Sequence, residues 1–526
     1  MTLKYTLGAV VPAIVLAGAM AAPASAFSLN RLGGAQVEGG AEISAFDADT
    51  ANLFVTTGDT IEIFNLSTPS TPAFVSSIDL TNPANIGGFV SGGVNSVAFS
   101  NGILAAAIEA DTAQDNGIVA FFDAQGDFQI KFDVGALPDM VTFTPDGGKV
   151  LVANEGEPND DYDVDPEGAV SIINIAGGTV NTVGFGGVAI DPEVRIFGPG
   201  ATPEQDLEPE YIAVSEDGST AYVSLQENNA LGILDLDTET FTAVKSLGFK
   251  DHSLDGNGFD ASNEDGGINI QTHPVLGMYQ PDAIATYTAN GETYVVTANE
   301  GDARDYDGFS EEERVKDLVL DPTAYPNADE LQQDENLGRL KTTNTLGDTD
   351  GDGDVDQIYS YGARSFSIWD AEGNLVFDSG DDFEQIIAAD FPEFFNINDG
   401  DPEEFDDRSD DKGPEPEGVT IGVFDGRTLA FIGLERSGGV MVYDITSPTA
   451  PSFVTYEPSF SEDVSPEGLV YINREDSPNG EPLLVVTNEE SETISVYQAV
   501  PEPGAILGLL GAGGAALLGI KRKRIA

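Results

Sequence analysis

The sequence predicts an all-β fold, a seven-bladed β-propeller with long loops on one face. Two observations support this prediction: a sequence unit recurs along most of the chain, and within each unit short β-rich runs alternate with tight turns. Recurrence at this scale is typical of architectures that stack one supersecondary unit many times. A β-helix and a β-sandwich are the alternatives, but hairpins that recur about every 40 residues favour blades.

Seven units can be counted in the sequence. Their approximate limits are 42–80, 93–134, 136–176, 207–248, 280–386, 415–457 and 464–498, of which the fifth is interrupted. Asp-Gly or Asn-Gly turns join many of their hydrophobic runs, as at Asp217-Gly218, and such turns are strong hairpin signals. The segment Ser28–Val37 is predicted to supply the outer strand of the last blade, which would close the ring.

Five of the units carry a pair of acids in corresponding places. A proline followed by an acid opens the first hydrophobic run, and a second acid follows the end of the next run. The pairs are Asp139 with Glu155, Glu210 with Glu227, Asp282 with Glu300, Glu417 with Glu435, and Glu467 with Glu489. Adjacent antiparallel strands bring the start of one beside the end of the other. We therefore expect both acids of every pair on the same face of the propeller.

The long loops are predicted on that same face. The segments Glu155–Gly168, 301–356 and Arg436–Gly438 follow second strands, and 249–280 and 387–414 precede first strands. The opposite face is predicted to keep only tight turns. A rigid scaffold that is elaborated on one side is typical of proteins whose function lies in those loops.

The two ends of the chain have the features of export and sorting segments. Residues 1–26 hold Lys4, an apolar run and Ala24-Ser25-Ala26, which is typical of a secretory signal peptide; a buried helix is the alternative. Residues 500–526 hold Pro-Glu-Pro, an uncharged stretch over 504–520 and a basic cluster. At about 1.5 Å per residue, this stretch is just long enough for a transmembrane helix, and its basic end should stay in the cytoplasm.

This three-part tail resembles the PEP-CTERM sorting signal of bacteria that make extracellular polysaccharide. The resemblance implies an exosortase, a membrane transpeptidase-like enzyme, as the processing partner. It also implies that the mature protein reaches the outer cell surface or the extracellular matrix after transient anchoring in the inner membrane. Contact with the membrane would then be limited to the tail before processing. A simple C-terminal membrane anchor is the alternative.

The acidic composition narrows the choice of partners. The formal net charge is −69, with 91 Asp and Glu against 22 Lys and Arg. Because nucleic-acid binding depends on basic side chains that neutralise phosphates, the composition argues against a nucleic-acid partner. It favours cations, or polyanions such as polysaccharide that cations bridge; solubility in salty water is a second explanation. The exported chain has no cysteine and so no disulfides.

The acids on the predicted face require compensation. Two negative charges about 5 Å apart repel by about 3 kcal/mol at an effective dielectric near 20, so the acids must protonate, separate, meet a basic side chain or bind a cation. Oxygen ligands, with no cysteine and only two histidines, favour Ca²⁺ over zinc or copper. We therefore predict that the paired acids are calcium ligands. The alternative is that each accepts backbone N–H groups in its own turn.

A second calcium motif lies inside the 301–356 insertion. Acids alternate with other residues at Asp348, Asp350, Asp352, Asp354 and Asp356, with glycines at the turn, as in compact calcium loops. The motif is not a complete EF-hand, because Tyr359 stands where the last glutamate would be. A solvated acidic tip is the alternative. The segment 255–266 is a further candidate, either for calcium or as an ordered Asx-turn loop.

Longer motifs carry a family resemblance. They are ANEGDARDY at Ala298–Tyr306, DASNEDGGINI at Asp260–Ile270, YQPDAIA at Tyr279–Ala285, LGRLKTT at Leu337–Thr343 and PEGV at Pro416–Val419. Together they resemble the choice-of-anchor I family of bacterial surface proteins over most of residues 30–498. The region is also similar to mesenchyme-specific cell surface glycoproteins of animals. The resemblance implies a surface location with a variable anchor, and it supplies no agreed catalytic residues.

These observations predict one function and leave an alternative. The first is an exported cell-surface or extracellular-matrix propeller that binds calcium and presents an acidic face to polysaccharide, mineral or protein. The alternative is a secreted calcium-dependent phosphatase or phytase-like hydrolase, whose catalytic candidates would be Glu300, Asp302, Arg304, Glu435 and Arg436. Basic candidates for ligand binding are Arg304, Arg339, Lys341, Arg364 and Arg436, unless these side chains neutralise neighbouring acids. The sequence leaves open whether there is catalysis.

Overall fold

The computed structural model describes residues 27–459 and 463–501, and Leu29–Val500 forms one unit of the chain. The predicted signal peptide, 1–26, lies outside the described residues, as does the sorting tail beyond Pro501 with its predicted transmembrane stretch. Within the described ranges, no helix is long and apolar enough to cross a membrane.

Strands make up most of the regular structure. From the start of the chain they are β1 (Phe27–Gln36), β2 (Ser44–Asp47), β3 (Asn52–Thr57), β4 (Thr60–Asn65), β5 (Ala73–Asp79), β6 (Ser91–Ser100), β7 (Ile103–Ala110), β8 (Asn116–Asp123), β9 (Phe128–Ala136), β10 (Pro138–Phe143), β11 (Lys149–Asn154), β12 (Ala169–Asn174) and β13 (Thr179–Gly184). The next are β14 (Ile212–Val214), β15 (Thr220–Leu225), β16 (Ala230–Asp235), β17 (Thr240–Ser246), β18 (Phe249–Asp251), β19 (Val275–Met278), β20 (Ile284–Ala289), β21 (Glu292–Asn299), β22 (Asp305–Tyr306), β23 (Phe309–Ser310) and β24 (Glu312–Arg314). The last are β25 (Lys341–Thr343), β26 (Ile358–Ser360), β27 (Ser365–Asp370), β28 (Leu375–Asp378), β29 (Pro416–Phe424), β30 (Arg427–Leu434), β31 (Val440–Asp444), β32 (Ser452–Glu457), β33 (Pro466–Ile472), β34 (Leu483–Asn488) and β35 (Thr493–Pro501).

The described helices are short and lie in connections. They are α1 (Pro203–Asp206), α2 (Ala328–Leu331), α3 (Asp382–Asp390), and 3₁₀ turns at Pro83–Ile86, Val315–Asp317, Pro392–Phe394 and Pro402–Glu404. The all-β class predicted from the sequence is therefore confirmed.

The strands form four-stranded antiparallel sheets that follow one another along the chain. In the described residues these are sheet 1 (β2–β5), sheet 2 (β6–β9), sheet 3 (β10–β13), sheet 4 (β14–β17), sheet 5 (β20, β21, β27, β28), sheet 6 (β29–β32) and sheet 7 (β33, β34, β35, β1). The first strand of each sheet contacts the first strand of the next, and β33 contacts β2. Sheets that contact one another in a closed cycle define a β-propeller.

The N-terminal strand closes this cycle. β1 is hydrogen-bonded to β35 as the outer strand of sheet 7, which agrees with the closing strand predicted for Ser28–Val37. The Arg31 guanidinium also pairs with the Asp463 carboxylate at 2.7 Å. Strands that are far apart in sequence therefore share one sheet, so radial repetition leaves few exposed edges.

The middle strands are apolar along their length because other sheets pack on both of their faces. In β11, the residues from Val150 to Ala153 are all fully buried. Val150 packs in the cluster shared with sheet 2, whereas Leu151 packs in the cluster shared with sheet 4. Full burial of one such side chain contributes about 1.5–3 kcal/mol. This packing makes the ring of sheets a rigid support for its loops.

The long insertion in sheet 5 is larger than the sequence indicated. β21 pairs with β27, so the inserted residues run from 300 to 364 rather than from 301 to 356. Within this insertion, β24, β25 and β26 join β18 and β19 of the segment 249–280 in a separate five-stranded sheet. The β19–β26 pairing is parallel. The hydrophobic period of the sequence did not reveal this sheet because its strands have only three or four residues each.

Candidate metal centre

Strand pairing brings the repeated acids to one end of the sheets. In sheets 3, 6 and 7, the proline before the first acid faces the residue before the second acid: Pro138 faces Asn154, Pro416 faces Leu434, and Pro466 faces Asn488. The second acid then donates its backbone N–H across the pair, as Glu155 does to the Leu137 carbonyl at 2.9 Å. The two acids of each pair therefore lie at the same end of their sheet, as predicted.

The backbone before the first acid is strained in the same way in four sheets. The residue that precedes the proline has a positive φ: 43° at Leu137, 39° at Gln280, 51° at Glu415 and 58° at Ser465. Residues other than glycine rarely adopt this conformation, and it persists only where the surrounding structure holds it. A turn that is repeated despite its strain indicates that the position of the following acid matters.

These acids surround a cavity of about 250 Å³, which we call the central cavity. Its acidic lining consists of Asp139, Glu155, Glu157, Glu210, Glu227, Asp282, Glu300, Asp302, Glu417 and Glu467. Ile43, Met140, Tyr211, Val419 and Leu469 form apolar parts of the wall. The lining acids come from sheets 3 to 7 or from the turns beside them.

Two of the ten paired acids do not line the central cavity. The Glu435 carboxylate lies 2.8 Å from the Arg436 guanidinium, and it groups with Glu300 and Glu415 at the side of the cavity. Glu489, at the corresponding place in sheet 7, is also absent from the lining. Eight of the ten paired acids therefore line the central cavity, and these two lie outside its lining.

Glu157 belongs to the lining although the sequence had not indicated it, and Asp302 had been considered only as a catalytic candidate. Each follows the second acid of its pair after one glycine, in Glu155-Gly156-Glu157 and Glu300-Gly301-Asp302. Gly156 and Gly301 have φ values of 75° and 93°, which glycine adopts without steric cost. The turn brings both flanking acids to the cavity. The repeated acid-Gly-acid pattern was the signal that could have revealed them.

The cavity acids lack the compensation that their charge requires. Burial, followed by repulsion from Glu157 and other acids, raises the pKa of Asp139 to about 7. Burial and then repulsion from Glu227 and Glu155 raise the pKa of Glu210 well above its usual range. Burial and then repulsion from Glu435 and Glu300 do the same for Glu417. Each added negative charge in this space is therefore unfavourable unless a cation is bound.

Four glutamates in the lining, Glu210, Glu227, Glu417 and Glu467, each have one oxygen without a hydrogen-bond partner among the described residues. Glu210 and Glu227 are only 6% and 5% exposed, and the Oε2 atom of each has no hydrogen-bond partner among the described residues. Their carboxylate oxygens come within 4.8 Å of each other and of a Glu155 oxygen. An unpaired buried carboxylate is costly, whereas three carboxylates that converge in this way offer the hard oxygen ligands that Ca²⁺ prefers.

The loops beside the cavity show the opposite arrangement, which we call the ion-paired layer. Its buried pairs are Arg304 with Asp206 and Glu208, Arg195 with Glu311, Arg364 with Glu384, and Arg408 with Glu415. The Arg304 and Arg195 guanidiniums also lie 4.6 and 4.1 Å from the Phe197 ring centroid. The pairs of Arg304 and Arg195 join residues 195–208 to the 300–364 insertion, and the sequence had not indicated a role for the part of that segment before residue 207.

Almost none of this positive charge reaches the cavity acids. Every Lys and Arg in the described ranges has an acid within 4.0 Å. Among the acids of the cavity lining, however, only Glu300 has such a partner, and Lys412 Nζ lies 2.6 Å from its Oε1. Arg304, a predicted ligand-binding residue, is 1% exposed and fully engaged by Asp206 and Glu208. Arg364 is likewise buried against Glu384.

The other basic candidates lie nearer the surface and are also paired. Arg339 contacts Asp410, Lys341 contacts Glu312 and Asp411, and Arg436 contacts Asp399 and Glu435. Lys341, Arg408 and Lys412 line a second cavity of about 210 Å³, which Asp302 shares with the central cavity. The catalytic candidates thus divide: Glu300 and Asp302 line the central cavity, and Arg304, Glu435 and Arg436 do not.

The Asp-rich loop forms a separate and exposed acidic group. Asp348 accepts backbone N–H groups from Gly351 at 2.7 Å and from Gly353 at 3.1 Å, so it stabilises its own turn. Asp354 and Asp356 converge with Asp321, and their oxygens lie within 4.8 Å of one another. Asp350 and Asp352 are not in that group. Asp321 was not predicted, because no motif connects it to the loop.

The 255–266 segment contributes to one more acidic group. Asp260 accepts the backbone N–H groups of Ser262 and Asn269, which is an Asx-type arrangement. Asp260 also lies within 4.8 Å of Asp265 and Asp406 through carboxylate oxygens. This group connects two of the long insertions and lies apart from the central cavity lining.

The closed cycle of sheets and the acid-lined cavity define the class: a β-propeller with a candidate cation site at one end. A PEP-CTERM protein-sorting motif occupies residues 499–524, so this is an exported protein that carries a sorting signal, and the motif implies processing by an exosortase-type enzyme. The choice-of-anchor I domain model matches residues 42–448. The chain belongs to the choice-of-anchor I family, as the motifs of the sequence indicated.

Two curated relatives are similar to parts of the chain. Gigasin-3a of Magallana gigas is 30% identical over 190 residues, which are 32% of this chain and 66% of the relative. The mesenchyme-specific cell surface glycoprotein of Strongylocentrotus purpuratus is 29% identical over 353 residues, which are 60% of this chain and 42% of the relative. The chain thus spans less than two thirds of the length of either relative.

Two solved structures align over 89% of this chain. The Kuenenia stuttgartiensis hydrazine synthase has a TM-score of 0.48 at 12% identity, with 98% of its chain covered. The Cps50 (Swd1) β-propeller domain of Myceliophteria thermophila has a TM-score of 0.45 at 11% identity, with 99% of its chain covered.

Proposed function

We propose that this protein is a calcium-binding propeller of the outer cell surface or extracellular matrix, with the seven sheets as its seven blades and the central cavity as its cation site. The observation that carries the proposal is the lining of the cavity. Its acids lie close together, Glu210 and Glu227 are buried, and only Glu300 has a basic partner within the described residues. Ca²⁺ takes 6–8 oxygen ligands, and the cavity offers carboxylate oxygens in excess of that number.

The proposed site distinguishes Ca²⁺ from softer metals by its donor atoms. The lining of the cavity supplies carboxylates, with Gln226, Asn95 and Ser96 as further oxygen-bearing side chains. The two histidines, His252 and His273, are not part of that lining and pack against Phe259 instead. Oxygen-only donor sets favour calcium, magnesium or manganese over zinc and copper.

The ligand of the acidic face is proposed to be an anionic polymer or mineral that binds through calcium. The chain has a net charge of −69, so an anionic partner needs a bridging cation. A surface location is supported by the sorting motif and by the similar protein named a cell surface glycoprotein. Polysaccharide of the extracellular matrix fits this chemistry, and transient anchoring by the tail fits the sorting motif.

The hydrolase alternative lacks a supporting observation. A phosphatase that uses calcium needs cations that are free to bind phosphate, yet Arg304 and Arg364 are buried in ion pairs, and Arg339, Lys341 and Arg436 are also paired. Phosphate-ester hydrolysis is therefore an outcome to be tested rather than a second proposal.

Calorimetric titration of the purified protein with CaCl₂ tests the proposal. We expect a saturable heat of binding with a high-affinity class of sites, and we expect that class to be lost in the double variant Glu210→Gln, Glu227→Gln. The matched control is Glu216→Gln, an exposed acid in the turn at the other end of sheet 4, which should bind as the native protein does. Unchanged binding by the double variant would refute the cavity as the site. Calcium-dependent release of phosphate from an ester would refute the binding-only function.

Co-sedimentation with a uronate polysaccharide tests the proposed partner. We expect the protein to sediment with the polymer in CaCl₂ and to stay in solution with chelator. Equal sedimentation under both conditions would exclude calcium bridging.

A further inference from the structure

The two ends of the central cavity differ in how their acids are satisfied. Glu155, Glu210 and Glu227, from sheets 3 and 4, form one convergent set; Asp282, Glu300 and Glu417, from sheets 5 and 6, form another. We call these sets the near triad and the far triad. Both have three carboxylates within 4.8 Å of one another, so by acid content alone either could hold a divalent ion.

The far triad already has a cation from the chain. Lys412 Nζ lies 2.6 Å from Glu300 Oε1 and 3.1 Å from Glu415 Oε2. The other oxygen of Glu300, Oε2, accepts a hydrogen bond from Gln226 Nε2 at 3.0 Å. Both oxygens of Glu300 are thus engaged. A lysine ammonium is a compact point charge, and its position beside Glu300 would repel a divalent ion bound by the same carboxylate.

The near triad has no such partner. No Lys or Arg of the described ranges lies within 4.0 Å of a near-triad carboxylate, because the ion pairs of these cations are made with other acids. The Oε2 atoms of Glu210 and Glu227 have no hydrogen-bond partner in the described part of the chain, although both side chains are more than nine-tenths buried. Glu417 Oε2 in the far triad also has no partner there, so the difference between the two triads is the Lys412 ammonium beside Glu300.

We infer that the cavity binds one divalent ion, at the near triad, and that the Lys412 ammonium takes the place of a second ion at the far triad. This inference rests on the proposed function. It assigns Glu155, Glu210 and Glu227 as the protein ligands of Ca²⁺ and assigns Lys412 as a positioning residue that fixes Glu300 and excludes calcium from it. The cavity then contains both a metal site and an internal ion pair.

Substitution of Lys412 tests this division. We expect calorimetry with CaCl₂ to give one ion in the cavity of the native protein and two in Lys412→Met, because removal of the ammonium frees Glu300 for metal. Lys412→Arg keeps the charge and should keep one ion. To count only cavity ions, all variants carry Asp354→Asn and Asp356→Asn, which remove the convergent acids of the exposed loop. Two ions in the native cavity, or one in a folded Lys412→Met variant, would overturn the inference.

A second comparison does not depend on folding of the Lys412 variant. In the native background, Glu227→Gln should weaken calcium binding at least 100-fold, whereas Glu417→Gln, in the far triad, should weaken it less than 3-fold. Equal losses would contradict the inference while the proposed function stands. Absence of calcium binding in the native protein would refute both. Terbium luminescence, which reports an occupied cation site directly, should follow the same order among the variants.

Discussion

The central cavity and the ion-paired layer contain the same kind of side chain in opposite electrostatic states. In the layer, Asp206 and Glu208 are fully buried, and Arg304 forms an ion pair with each of them. In the cavity, Glu210 and Glu227 are nearly as buried, and their carboxylates have no Lys or Arg within 4.0 Å. A chain with only 22 Lys and Arg concentrates its buried guanidiniums in the loops and leaves the cavity to an external ion.

This contrast separates structural acids from functional ones. Acids that serve the fold have their charge balanced within the chain, because an unbalanced buried charge would destabilise it. Acids that remain unbalanced at a repeated and strained turn have another role, for which a bound cation is the simplest physical explanation. The comparison therefore predicts that substitutions in the two regions change stability in opposite directions.

The largest effect is expected in the ion-paired layer. Arg304→Met leaves Asp206 and Glu208 buried without their cation, and breaking a buried pair in this way costs about 3–5 kcal/mol. Urea unfolding should show this loss with calcium and with chelator alike. Arg474→Met is the control, because the Arg474–Glu481 pair is 52% and 45% exposed and should contribute about 0–1 kcal/mol. A loss for Arg304→Met that calcium restores would break the distinction between the two regions.

A substitution in the cavity is expected to change stability in the opposite direction. In chelator at pH 8, Glu210→Gln should stabilise the protein by about 1–3 kcal/mol, because it removes one charge from a set of close carboxylates. In saturating calcium the same variant should be less stable than the native protein, since it has lost a ligand. Urea unfolding under both conditions provides the measurement, and Glu216→Gln should change the free energy of unfolding by less than about 0.5 kcal/mol. Destabilisation by Glu210→Gln in chelator would contradict the account.

The acids of the cavity should determine how the stability of the calcium-free protein depends on pH. Burial and then Glu157 raise the pKa of Asp139 to about 7, and burial raises that of Asp302 to about 7. Because these folded pKa values exceed the unfolded ones, the folded state binds more protons between pH 8 and 5. Stability should therefore rise as pH falls, by about 1.4 kcal/mol per pH unit for each extra proton bound.

Two histidines oppose this trend at its acidic end. Burial lowers the pKa of His273 to about 4 and that of His252 well below its usual range. Below about pH 6.5 these two histidines are therefore protonated in the unfolded state but neutral in the folded state, which lowers the stability of the folded protein. Thermal unfolding in chelator should consequently show its steepest gain between pH 8 and 6.5. With calcium bound, protons and metal compete, and the gain should disappear. A chelated protein whose stability falls from pH 8 to 6.5 would contradict the assigned cavity charges.

The smallest effect is expected at the exposed Asp-rich loop. Asp354→Asn removes one of the acids that converge with Asp321 and Asp356, so it should eliminate a weak class of calcium sites and change the affinity of the central site less than 3-fold. Calorimetry resolves the two classes. Asp352→Asn, outside that group, is the matched control. Loss of the high-affinity calcium sites in Asp354→Asn would show that the main site lies in the loop and not in the cavity.

The sequence predicted the fold and the cavity because both are local repeats. Asp139 and Glu155 belong to adjacent antiparallel strands, so their shared end follows from the pairing rule alone. The cavity role of Glu157 and Asp302 depends on glycine turns, whose left-handed φ values a pattern of acids does not reveal. Glu435 lies outside the cavity lining and pairs with Arg436, an effect of one local side chain that the repeat does not reveal.

The ion-paired layer could not be predicted in the same way. Arg304 and its partner Asp206 are 98 positions apart, and Arg195 and Glu311 are 116 apart. No periodicity links such positions, and their contact depends on how two insertions fold over the ring. The sequence could therefore indicate where acids gather, but not which of them the chain itself would neutralise.

A crystal structure with terbium in place of calcium is the most direct test of the proposed cation site. We expect an anomalous peak in the central cavity, with the ion bound by the carboxylates of Glu155, Glu210 and Glu227 at about 2.3–2.6 Å and Lys412 still paired to Glu300. A saturated crystal with no peak in the cavity, or with peaks only at the exposed loop of Asp354 and Asp356, would contradict it.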